Sequence, residues 1–519
     1  MKRTLLALLV VLSAACSREP ARPNVLLITI DTLRADRLSA LGSARKTTPR
    51  IDELAAEGLV FTHAQTPRAK TTPAIASLMT GLYPHDHGVR DLVMPLESRF
   101  PTLPEVFRRA GYATGAIVGN FVLKDAFAGL ARGFDQWTED LPDQLGVPPD
   151  EVPQRTARSM TDGALTALGL APAPADARAG PRATFVRDDA PWFLWLHYMD
   201  PHGSYDPPTE HRVFQREHPD PIPPPRADPD ARRQHVAEYN VPASARMDDG
   251  RIDAALVRDL YDGEVRYVDA EIGRLIDALR ARGLLENTLV VITSDHGESL
   301  GEHDYWFEHG RDVYEASTRV PLVVRFPDRW ESLAREEPRP APGTRRGDVS
   351  LADLGPTILD LLKLPPLQPG IVMPATSVPV RGESRAALCA NDERTPRAVF
   401  CEKIDRRDVE RTVQAKSVRA GDWKLIRHFT VISDASSPHA RMIQLGEELY
   451  DLARDPHETD ELMTKIQDTS IVWRLQKELG AFTLADRNFA ELAADLERQR
   501  ERLRQLDPQT LRTIEALGY

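Results

Sequence analysis

Two apolar stretches decide the fold of this chain: NVLLITIDTLRAD at residues 24–36 and TLVVITSDHGE at residues 288–298. Each contains a run of strand length that ends abruptly in acids, at Asp31 in the first and at Asp295 followed by His296 in the second. A run that is apolar on both faces is typical of a central strand in a parallel sheet. Because ligands of open α/β sheets bind beyond the carboxyl ends of such strands, we expect the two acids and the histidine to meet at one edge.

A third stretch, KTTPAIASLMTGLYPHDHG at residues 70–88, predicts a short helix beside that edge. Thr71-Thr72-Pro73 is typical of an N-cap followed by a proline in the first turn, and Gly81 is typical of a helix end. A hydroxyl at a helix N-terminus, beside a metal, is well placed to receive an anionic substrate. The three stretches therefore predict one metal site.

Beyond its leader the chain resembles the sulfatases, a branch of the alkaline phosphatase superfamily. The resemblance implies an α/β fold, an alkaline-phosphatase-like sandwich whose central, mostly parallel sheet is flanked by helices, with a small C-terminal antiparallel sheet and terminal helices. It also implies an ester hydrolase or transferase. Besides the Asp31 strand, the motifs that carry it are, in order, ASLMTGLYPHDHGV, GYATGAIVGN, HYMDPHGSYDPP, YDGEVRYVDAEIGRLIDAL, SDHGESLGEH, EHGRDVYEASTRVPLVV, DLGPTILDLL and ELYDLARDPHETDEL.

The nucleophile position departs from the sulfatase pattern. Sulfatases carry Cys or Ser followed by x-Pro-x-Arg, and that Cys or Ser is oxidised to formylglycine. Here Thr71 stands at that position, Ile75 stands at the arginine, and Asn120 stands at the lysine of the family's GK motif. The paired acids after the first strand are reduced to Asp31-Thr32. Threonine cannot yield the aldehyde, so we expect the Thr71 oxygen itself to attack.

The predicted metal set resembles that of superfamily phosphodiesterases and of phosphoethanolamine or phosphoglycerol transferases, which use a threonine oxygen directly. The matching residues are Asp31, Thr71, Asp295 and His296. Oxygen cages suit calcium, which sulfatases hold. An imidazole ligand favours zinc or manganese, so we expect a divalent metal of that kind, with calcium as the alternative.

Two further motifs hold candidates for catalysis and for binding of the anion. FLWLHYMDPHGSY predicts a strand that runs into His202, which matches the family histidine that contacts the transferred anion. His309 matches a histidine that in the superfamily binds a second metal or the leaving group. With Thr71 these are the catalytic candidates. The candidates for a second metal or for substrate binding are Asp200, His202, His309, Arg311 and Asn120.

Several of these residues also have structural explanations. Asp31 could cap a turn, Asp295 and His296 could form a polar network at the sheet edge, and Thr71 could be an N-cap in a chain that has lost catalysis. We interpret other polar residues as parts of loops or of the packing, namely His85, His87, Glu264, Asp269 and His457.

The N-terminus predicts export. Residues 1–16 carry two basic residues and then an apolar stretch too short to span a membrane, which is typical of a secretory signal. The signal ends in Ser-Ala-Ala-Cys, which resembles a lipobox, so Cys16 would be lipidated and residues 17–23 would be a tether. Ser17 resembles outer-membrane sorting. We therefore expect a periplasmic lipoprotein that is anchored in the outer membrane. Ordinary cleavage near Ala15 is the alternative.

Composition limits the partners. The 519 residues carry a formal net charge of −12, which argues against nonspecific binding of nucleic acid. We expect a small-molecule, glycan or lipid ester as substrate; the sequence indicates no oligomeric state. The chain has three cysteines. Besides Cys16, Cys389 and Cys401 either pair in an oxidising periplasm or remain separate buried thiols.

The chain is predicted to have two structural parts, a catalytic domain over residues 24–364 and a C-terminal part over residues 365–519. Helical spacing of apolar residues predicts a long helix that leads into the strand before Asp295. The C-terminal part predicts short antiparallel strands. The remaining expected elements are proline-rich loops at residues 169–185 and 217–233, and tail helices at residues 484–506 and 509–517.

The sequence therefore predicts an exported, metal-dependent hydrolase or transferase that cleaves a phosphate-type ester (a phosphodiester, phosphomonoester or phosphonate) through the alkoxide of Thr71. The first alternative is a sulfuric ester hydrolase that works without formylglycine. The second is a catalytically inactive binding lipoprotein on the same scaffold.

Overall fold

The computed structural model describes most of the chain after the leader. The described residues are 22–141, 155–172, 184–214, 218–223, 235–333, 338–367, 382–391, 396–406, 411–432, 441–486, 501–508 and 510–511. The predicted signal, Cys16 and the tether up to residue 21 lie outside them, as do most of the two proline-rich loops and of the predicted tail helices.

The strands of the described residues are, in chain order, β1 (Asn24–Ile30), β2 (Leu59–Phe61), β3 (Ala64–Gln65), β4 (Ala113–Val118), β5 (Gln136–Thr138), β6 (Trp192–Tyr198), β7 (Pro221–Ile222), β8 (His235–Val236), β9 (Ile252–Asp253), β10 (Thr288–Ser294), β11 (Ser299–Leu300), β12 (Tyr305–Glu308), β13 (Leu322–Arg325), β14 (Gly343–Arg345), β15 (Val349–Ser350), β16 (Val399–Arg406), β17 (Arg411–Ala420), β18 (Trp423–Ile432) and β19 (Arg441–Asp451).

The α-helices are α1 (Pro49–Ala56), α2 (Thr71–Thr80), α3 (Pro84–His87), α4 (Leu103–Arg109), α5 (Asp125–Ala128), α6 (Ala157–Ala167), α7 (Ala254–Ala281), α8 (Glu315–Thr318), α9 (Trp330–Leu333), α10 (Leu354–Leu361), α11 (Ala386–Ala390) and α12 (Thr469–Ala485).

The central sheet has eight strands in the order β14-β2-β13-β10-β1-β6-β4-β5. Strand β1 pairs in parallel with both β10 and β6, and β13 runs antiparallel to its two neighbours. Helices cover both faces: α1, α6 and α7 pack on one, and α2, α4 and α10 pack on the other. This confirms the predicted sandwich with a mostly parallel central sheet.

The two strands that the sequence singled out are the centre of this sheet. Every residue of β1 and β10 is buried, which explains why both are apolar on both faces. The long predicted helix is α7, whose N-cap Asp253 accepts hydrogen bonds from the backbone N–H groups of Ala255 and Leu256. It crosses one face of the sheet and leads into β10, as predicted.

The C-terminal part forms an antiparallel sheet of four strands, β16-β17-β18-β19, which was predicted. Helix α12 packs on it through Val472, Leu475, Leu479 and Phe482. Sequence analysis did not single out this helix and placed the helical tail further on. Near the end of the chain, the described segment at residues 501–508 packs through two leucines on the loops that follow β4 and β6.

Buried ion pairs join this C-terminal sheet to the larger domain. The Arg90 guanidinium binds the Glu402 carboxylate on β16 at 3.1 Å and the Asp486 carboxylate at 2.6 Å, and all three side chains are almost fully buried. Glu315 on α8 likewise binds Arg419 at 2.6 Å and Lys424 at 3.0 Å. The two parts are therefore linked by charges that have no access to water.

Cys389 and Cys401 are free, buried thiols. Cys389 packs in the core beneath the central sheet, whereas Cys401 packs against Val313 and Tyr450. Burial raises the pKa of each thiol to about 12. Of the two alternatives from the sequence, the structure has the separate thiols. Among the residues that the structure describes, no helix is both long and apolar enough to cross a membrane.

Candidate active site

The carboxyl ends of β1, β10 and β6 bring the predicted metal residues together. The three strands are in register, with Thr29 opposite both Thr293 and His197, so that Asp31 and Asp295 emerge side by side. Asp31, Asp295 and His296 are all fully buried. The meeting of these residues at one edge of the sheet was predicted from the apolar runs alone.

Thr71 reaches the same point from helix α2. Its hydroxyl lies 3.4 Å from Oδ2 of Asp31 and 3.4 Å from Nε2 of His296. The N-cap of α2 is Lys70, so Thr71 is the first helical residue and not the N-cap that the sequence suggested. Gly81 ends the helix in the left-handed conformation, as expected.

One oxygen of the Asp31 carboxylate is held by the protein and the other is not. Oδ2 accepts hydrogen bonds from the amide of Asn120 at 2.5 Å and from His197 at 3.2 Å, besides its contact with Thr71. Oδ1 is buried without a hydrogen-bond partner and lies 3.8 Å from Nε2 of His296. The hydrogen bonds to Oδ2, called the anchored oxygen below, fix the orientation of the carboxylate so that Oδ1 faces the site.

These unpartnered atoms fit a metal ion. Asp295 repeats the arrangement: Oδ1 accepts the backbone N–H of His296, while Oδ2 is buried without a partner, 3.3 Å from His296 Nε2. His296 Nδ1 lies 2.9 Å from the Gly297 carbonyl oxygen, which leaves Nε2 facing the two acids. Buried polar atoms rarely lack partners, so this donor set of two carboxylate oxygens and an imidazole nitrogen indicates a site for a divalent ion.

Burial and neighbouring charges oppose each other in their effect on the pKa of Asp31, but act in the same direction on the pKa values of Asp295 and His296. Burial would raise the pKa of Asp31, but the hydrogen bond from His197 and the nearby histidines hold that pKa below its usual value. Burial and the neighbouring charge of Asp31 raise the pKa of Asp295 well above its usual value. Burial and the charge of His309 lower the pKa of His296. A neutral imidazole is the form that binds a metal.

His197 is a site residue that sequence analysis missed. In the described part of the chain, the acids and histidines whose potential ligand atoms all lie within 4.8 Å of one another are Asp31, His197 and Asp295. The sequence placed His197 only as the end of an apolar strand. The signal available was a single histidine in the otherwise apolar run of β6, but its meaning depends on the pairing of β6 with β1.

His202 and His309 lie together beside this cluster. Their ring centroids are 5.2 Å apart, and the His309 ring lies 4.3 Å from that of His296. His309 Nδ1 is 3.1 Å from the carboxylate of Glu298, a fully buried acid that sequence analysis did not single out. Burial raises the pKa of Glu298 to about 8, and burial together with the charge of His202 lowers the pKa of His309 to about 3.

Asp200 belongs to a different environment. Its Oδ2 accepts the backbone N–H of Ala157 at 2.6 Å, at the start of α6. Burial and the charge of Glu271 raise its pKa to about 6, although its backbone hydrogen bonds act in the opposite direction. This corrects the predicted grouping of Asp200, His202 and His309, because only the two histidines lie together while Asp200 caps a helix.

Two cations lie near the mouth of the site. Arg311, a predicted candidate, is exposed and its Nε lies 3.4 Å from the Glu308 carboxylate. Lys70, which sequence analysis passed over, directly precedes Thr71, and its ammonium binds Asp91 at 2.8 Å. The positive charge of Lys70 also contributes to the lowered pKa of His309, after burial and the charge of His202.

The remaining polar candidates have structural partners. His87 Nε2 lies 2.9 Å from Ser77, while the His85 ring packs edge-on against Phe482. Asp269 accepts two backbone N–H groups at the start of α1, and Glu264 accepts the backbone N–H of Asp206.

The structure therefore has an α/β domain with a buried cluster of acids and histidines at the carboxyl edge of its central sheet. Residues 23–364 match the sulfatase family model, and residues 301–484 match the model for the N-sulphoglucosamine sulphohydrolase C-terminal region. The chain therefore belongs to the sulfatase family, within the alkaline phosphatase superfamily, and it is a hydrolase of that family.

Its relatives include enzymes named for different esters. The multifunctional alkaline phosphatase superfamily protein PehA of Trinickia caryophylli is 27% identical over 513 residues, which cover 85% of this chain and 91% of the relative. The choline-sulfatase of Rhizobium meliloti is 27% identical over 481 residues, which cover 85% of this chain and 82% of the relative. In fold, the chain is similar to the phosphonate monoester hydrolase of Agrobacterium radiobacter, with a TM-score of 0.62 at 24% identity over 89% of this chain and 96% of that one.

Proposed function

We propose that this sulfatase-family hydrolase cleaves a phosphate-type ester, with the oxygen of Thr71 as nucleophile. The observation that carries the proposal is the position of the Thr71 hydroxyl, 3.4 Å from both Oδ2 of Asp31 and Nε2 of His296. The sequence motif predicts that Thr71 replaces the family's formylglycine precursor. The metal would be held by Asp31, Asp295 and His296, with Thr71 as a fourth ligand. Zinc and manganese suit this set better than calcium because it includes an imidazole.

A bound divalent ion would lower the pKa of the threonine hydroxyl and polarise the ester oxygen. The chain supplies the remaining functions. Asn120 and His197 hold Asp31 in one orientation, and helix α2 presents Thr71 at its N-terminus, where the backbone N–H groups favour an anion.

Thr71 Oγ forms a bond to phosphorus while the bond from phosphorus to the leaving oxygen breaks. The product of this step is a phosphothreonine, and the leaving oxygen takes up a proton. In the second step water, or an acceptor alcohol if the enzyme is a transferase, attacks the phosphorus and restores the Thr71 hydroxyl.

We expect His202 and His309 to hold the anion and to protonate the leaving group. The negative charge of a bound anion would raise the pKa of His309, which burial lowers to about 3, as this protonation requires. The His309 ring lies beside that of His296, and the His202 ring lies beside that of His309. Glu298 holds the His309 ring at Nδ1. Help of this kind from an acid typically contributes about 10²–10⁴-fold in rate. Lys70 adds a positive charge that acts on His309.

Two features favour phosphate over sulfate. Ile75, in place of the family's arginine, is fully buried and has no charge. Asn120, in place of the family's lysine, is committed to Asp31 through its amide nitrogen and to Val122 through its amide oxygen. Neither residue can contribute the positive charges of the sulfatase pattern. The phosphonate monoester hydrolase of similar fold is consistent with this choice, whereas the choline-sulfatase keeps the sulfate alternative open.

An elemental analysis joined to an ester screen tests the proposal. Purified protein should hold a stoichiometric divalent metal. It should turn over at least one of a phosphomonoester, a phosphodiester and a phosphonate monoester with a common chromogenic leaving group, and do so faster than the matching sulfate. A faster sulfate would favour the sulfatase alternative. Absence of metal and of all turnover would favour the inactive binding lipoprotein.

A further inference from the structure

A line of three fully buried side chains ends at the anchored oxygen of Asp31. The indole nitrogen of Trp195 lies 3.0 Å from the hydroxyl of Thr29. That hydroxyl lies 2.8 Å from Nδ1 of His197, and Nε2 of His197 lies 3.2 Å from Oδ2 of Asp31. The line exists because β6 pairs with β1 and sets His197 beside Thr29.

The protons along this line can be assigned from the chemistry of the groups. An indole nitrogen can only donate, so the Thr29 oxygen accepts from Trp195. An ionised carboxylate can only accept, so the contact with Asp31 requires a proton on Nε2 of His197. A neutral imidazole then accepts at Nδ1, and the Thr29 hydroxyl is the donor at 2.8 Å. Among the described residues, the other acceptor within reach of this hydroxyl is the Leu196 carbonyl oxygen, at the longer distance of 3.3 Å.

We propose that His197 is a positioning residue for the metal, which acts by donating from Nε2 to Asp31, and that Thr29 fixes the tautomer in which it can do so. The proposal rests on the proposed function, because it assumes that Asp31 binds the metal. The nearness of His197 to Asp31 and Asp295 does not by itself define its role, because a histidine among acids could equally be a metal ligand.

The partners of Asp31 distinguish these two roles. His197 contacts Oδ2, the oxygen that Asn120 also holds, whereas Oδ1 is the one without a partner. A nitrogen that carries a proton has no lone pair for a metal. His197 therefore holds the far side of the carboxylate and turns Oδ1 towards His296 and Asp295.

Loss of such a partner typically weakens metal binding about 10–100-fold. We expect this loss of affinity in His197→Leu, which removes the donor. We expect partial recovery in His197→Gln, whose amide can still donate near the position of Nε2. Thr29→Val should behave like His197→Leu, since it keeps the shape of the side chain but removes the hydroxyl, and Thr29→Ser should stay near wild type.

The experiment measures zinc and manganese affinity of the full chain by competition with a chelating dye, together with thermal stability. The matched control is Thr161→Val, which removes an equally buried hydroxyl whose partner at 2.8 Å is Tyr198 and not a site residue. It should lose stability without losing metal affinity. Nitrogen-15 spectra of the zinc-loaded protein labelled at histidine should show Nε2 of His197 protonated, with the signal assigned by its loss in His197→Gln.

The outcomes distinguish a failure of the proposed function from a failure of the positioning role of His197. A wild-type protein that binds no divalent metal would overturn the proposed function and this role with it. A wild type that binds metal, with unchanged affinity in both His197→Leu and Thr29→Val, would overturn the positioning role alone. A metal-bound signal at Nε2 of His197 would make this residue a ligand and would likewise overturn it.

Discussion

The amide nitrogen of Asn120 lies 2.5 Å from Oδ2 of Asp31, while its amide oxygen accepts the backbone N–H of Val122. The second contact fixes the orientation of the amide, because only the nitrogen is left to face the carboxylate. In the sulfatase pattern a lysine stands at this position. A neutral amide holds Asp31 without adding a positive charge beside the proposed metal, so Asn120 fixes the orientation of the acid and leaves the balance of its charge to other groups.

Replacement of Thr71 tests the nucleophile. Thr71→Ala should lower turnover of the best phosphate ester by more than about 10³-fold, because the variant lacks the oxygen that we propose as nucleophile. Thr71→Ser should retain part of the activity. The matched control is Thr72→Ala, which removes the neighbouring hydroxyl that donates to the Val122 carbonyl and should change turnover little. Thr71→Ala with the turnover of wild type would contradict the mechanism.

A second change at the same position tests the sulfate alternative. Thr71→Cys, expressed in a host that makes formylglycine, restores the precursor at the start of the motif but not the arginine that Ile75 replaces. We expect no sulfatase activity from it. Sulfate ester hydrolysis by this variant would show that the pocket still binds sulfate.

Export is tested at Cys16. If the lipobox-like end of the leader is functional, the mature protein begins with a diacylated cysteine and sediments with the outer membrane. Cys16→Ala should leave an unlipidated form that no longer does so. Mass spectrometry of the mature N-terminus checks both proteins, and a soluble wild-type protein that begins at another residue would rule the anchor out.

The buried charges between the two sheets should matter for stability. Arg90→Met leaves Glu402 and Asp486 with Lys416 as their remaining cation, and removal of one partner from a buried pair typically costs about 3–5 kcal/mol. The control is Arg99→Met, whose pair with Glu97 is exposed and should contribute less than about 1 kcal/mol. Denaturant unfolding measures both, and equal effects would contradict the importance of burial.

The raised pKa of the Asp269 carboxyl predicts that the stability of the fold depends on pH. Burial raises its pKa to about 7, against an ordinary value of 3.8. Between these values the folded state binds more protons than the unfolded state, so the contribution of Asp269 to stability falls as the pH rises, by about 1.4 kcal/mol for each unit of pKa difference.

The matching variant is Asp269→Asn, which cannot ionise. The melting temperature of wild type minus that of the variant should be largest near pH 4 and should decrease up to about pH 7. Asp277→Asn, at an exposed acid of the same helix, is the control and should show no such trend. A constant difference across this range would contradict the prediction.

Local patterns were sufficient for the centre of the fold. β1 and β10 were predicted because a strand buried on both faces must be apolar throughout, and the acids at their ends were predicted to meet for the same reason. Helix α12 was missed although its buried residues have helical spacing. The tail helix that the sequence predicts, at residues 484–506, lies further along the chain and mostly outside the described residues, so it stays a prediction.

The parts of the site that were not predicted from the sequence depend on contacts between residues that are far apart in the chain. The place of His197 beside Thr29 follows from the register of β6 on β1, across more than 160 positions of sequence. Asp200 and His202 are separated by a single proline, yet their side chains have different environments, because Asp200 caps α6. Spacing in the sequence does not determine such orientations.

The ion pairs of Arg90 and Glu315 also have a consequence for how this enzyme could diverge. The stretch that matches the sulfatase model ends at residue 364, but both charges in it are neutralised from beyond that point, by Glu402 and Asp486 in one case and by Arg419 and Lys424 in the other. Recombination between relatives at residue 364 would leave buried charges without partners unless positions 90 and 315 were inherited together with the C-terminal sheet. The two halves of the chain should therefore evolve as one unit.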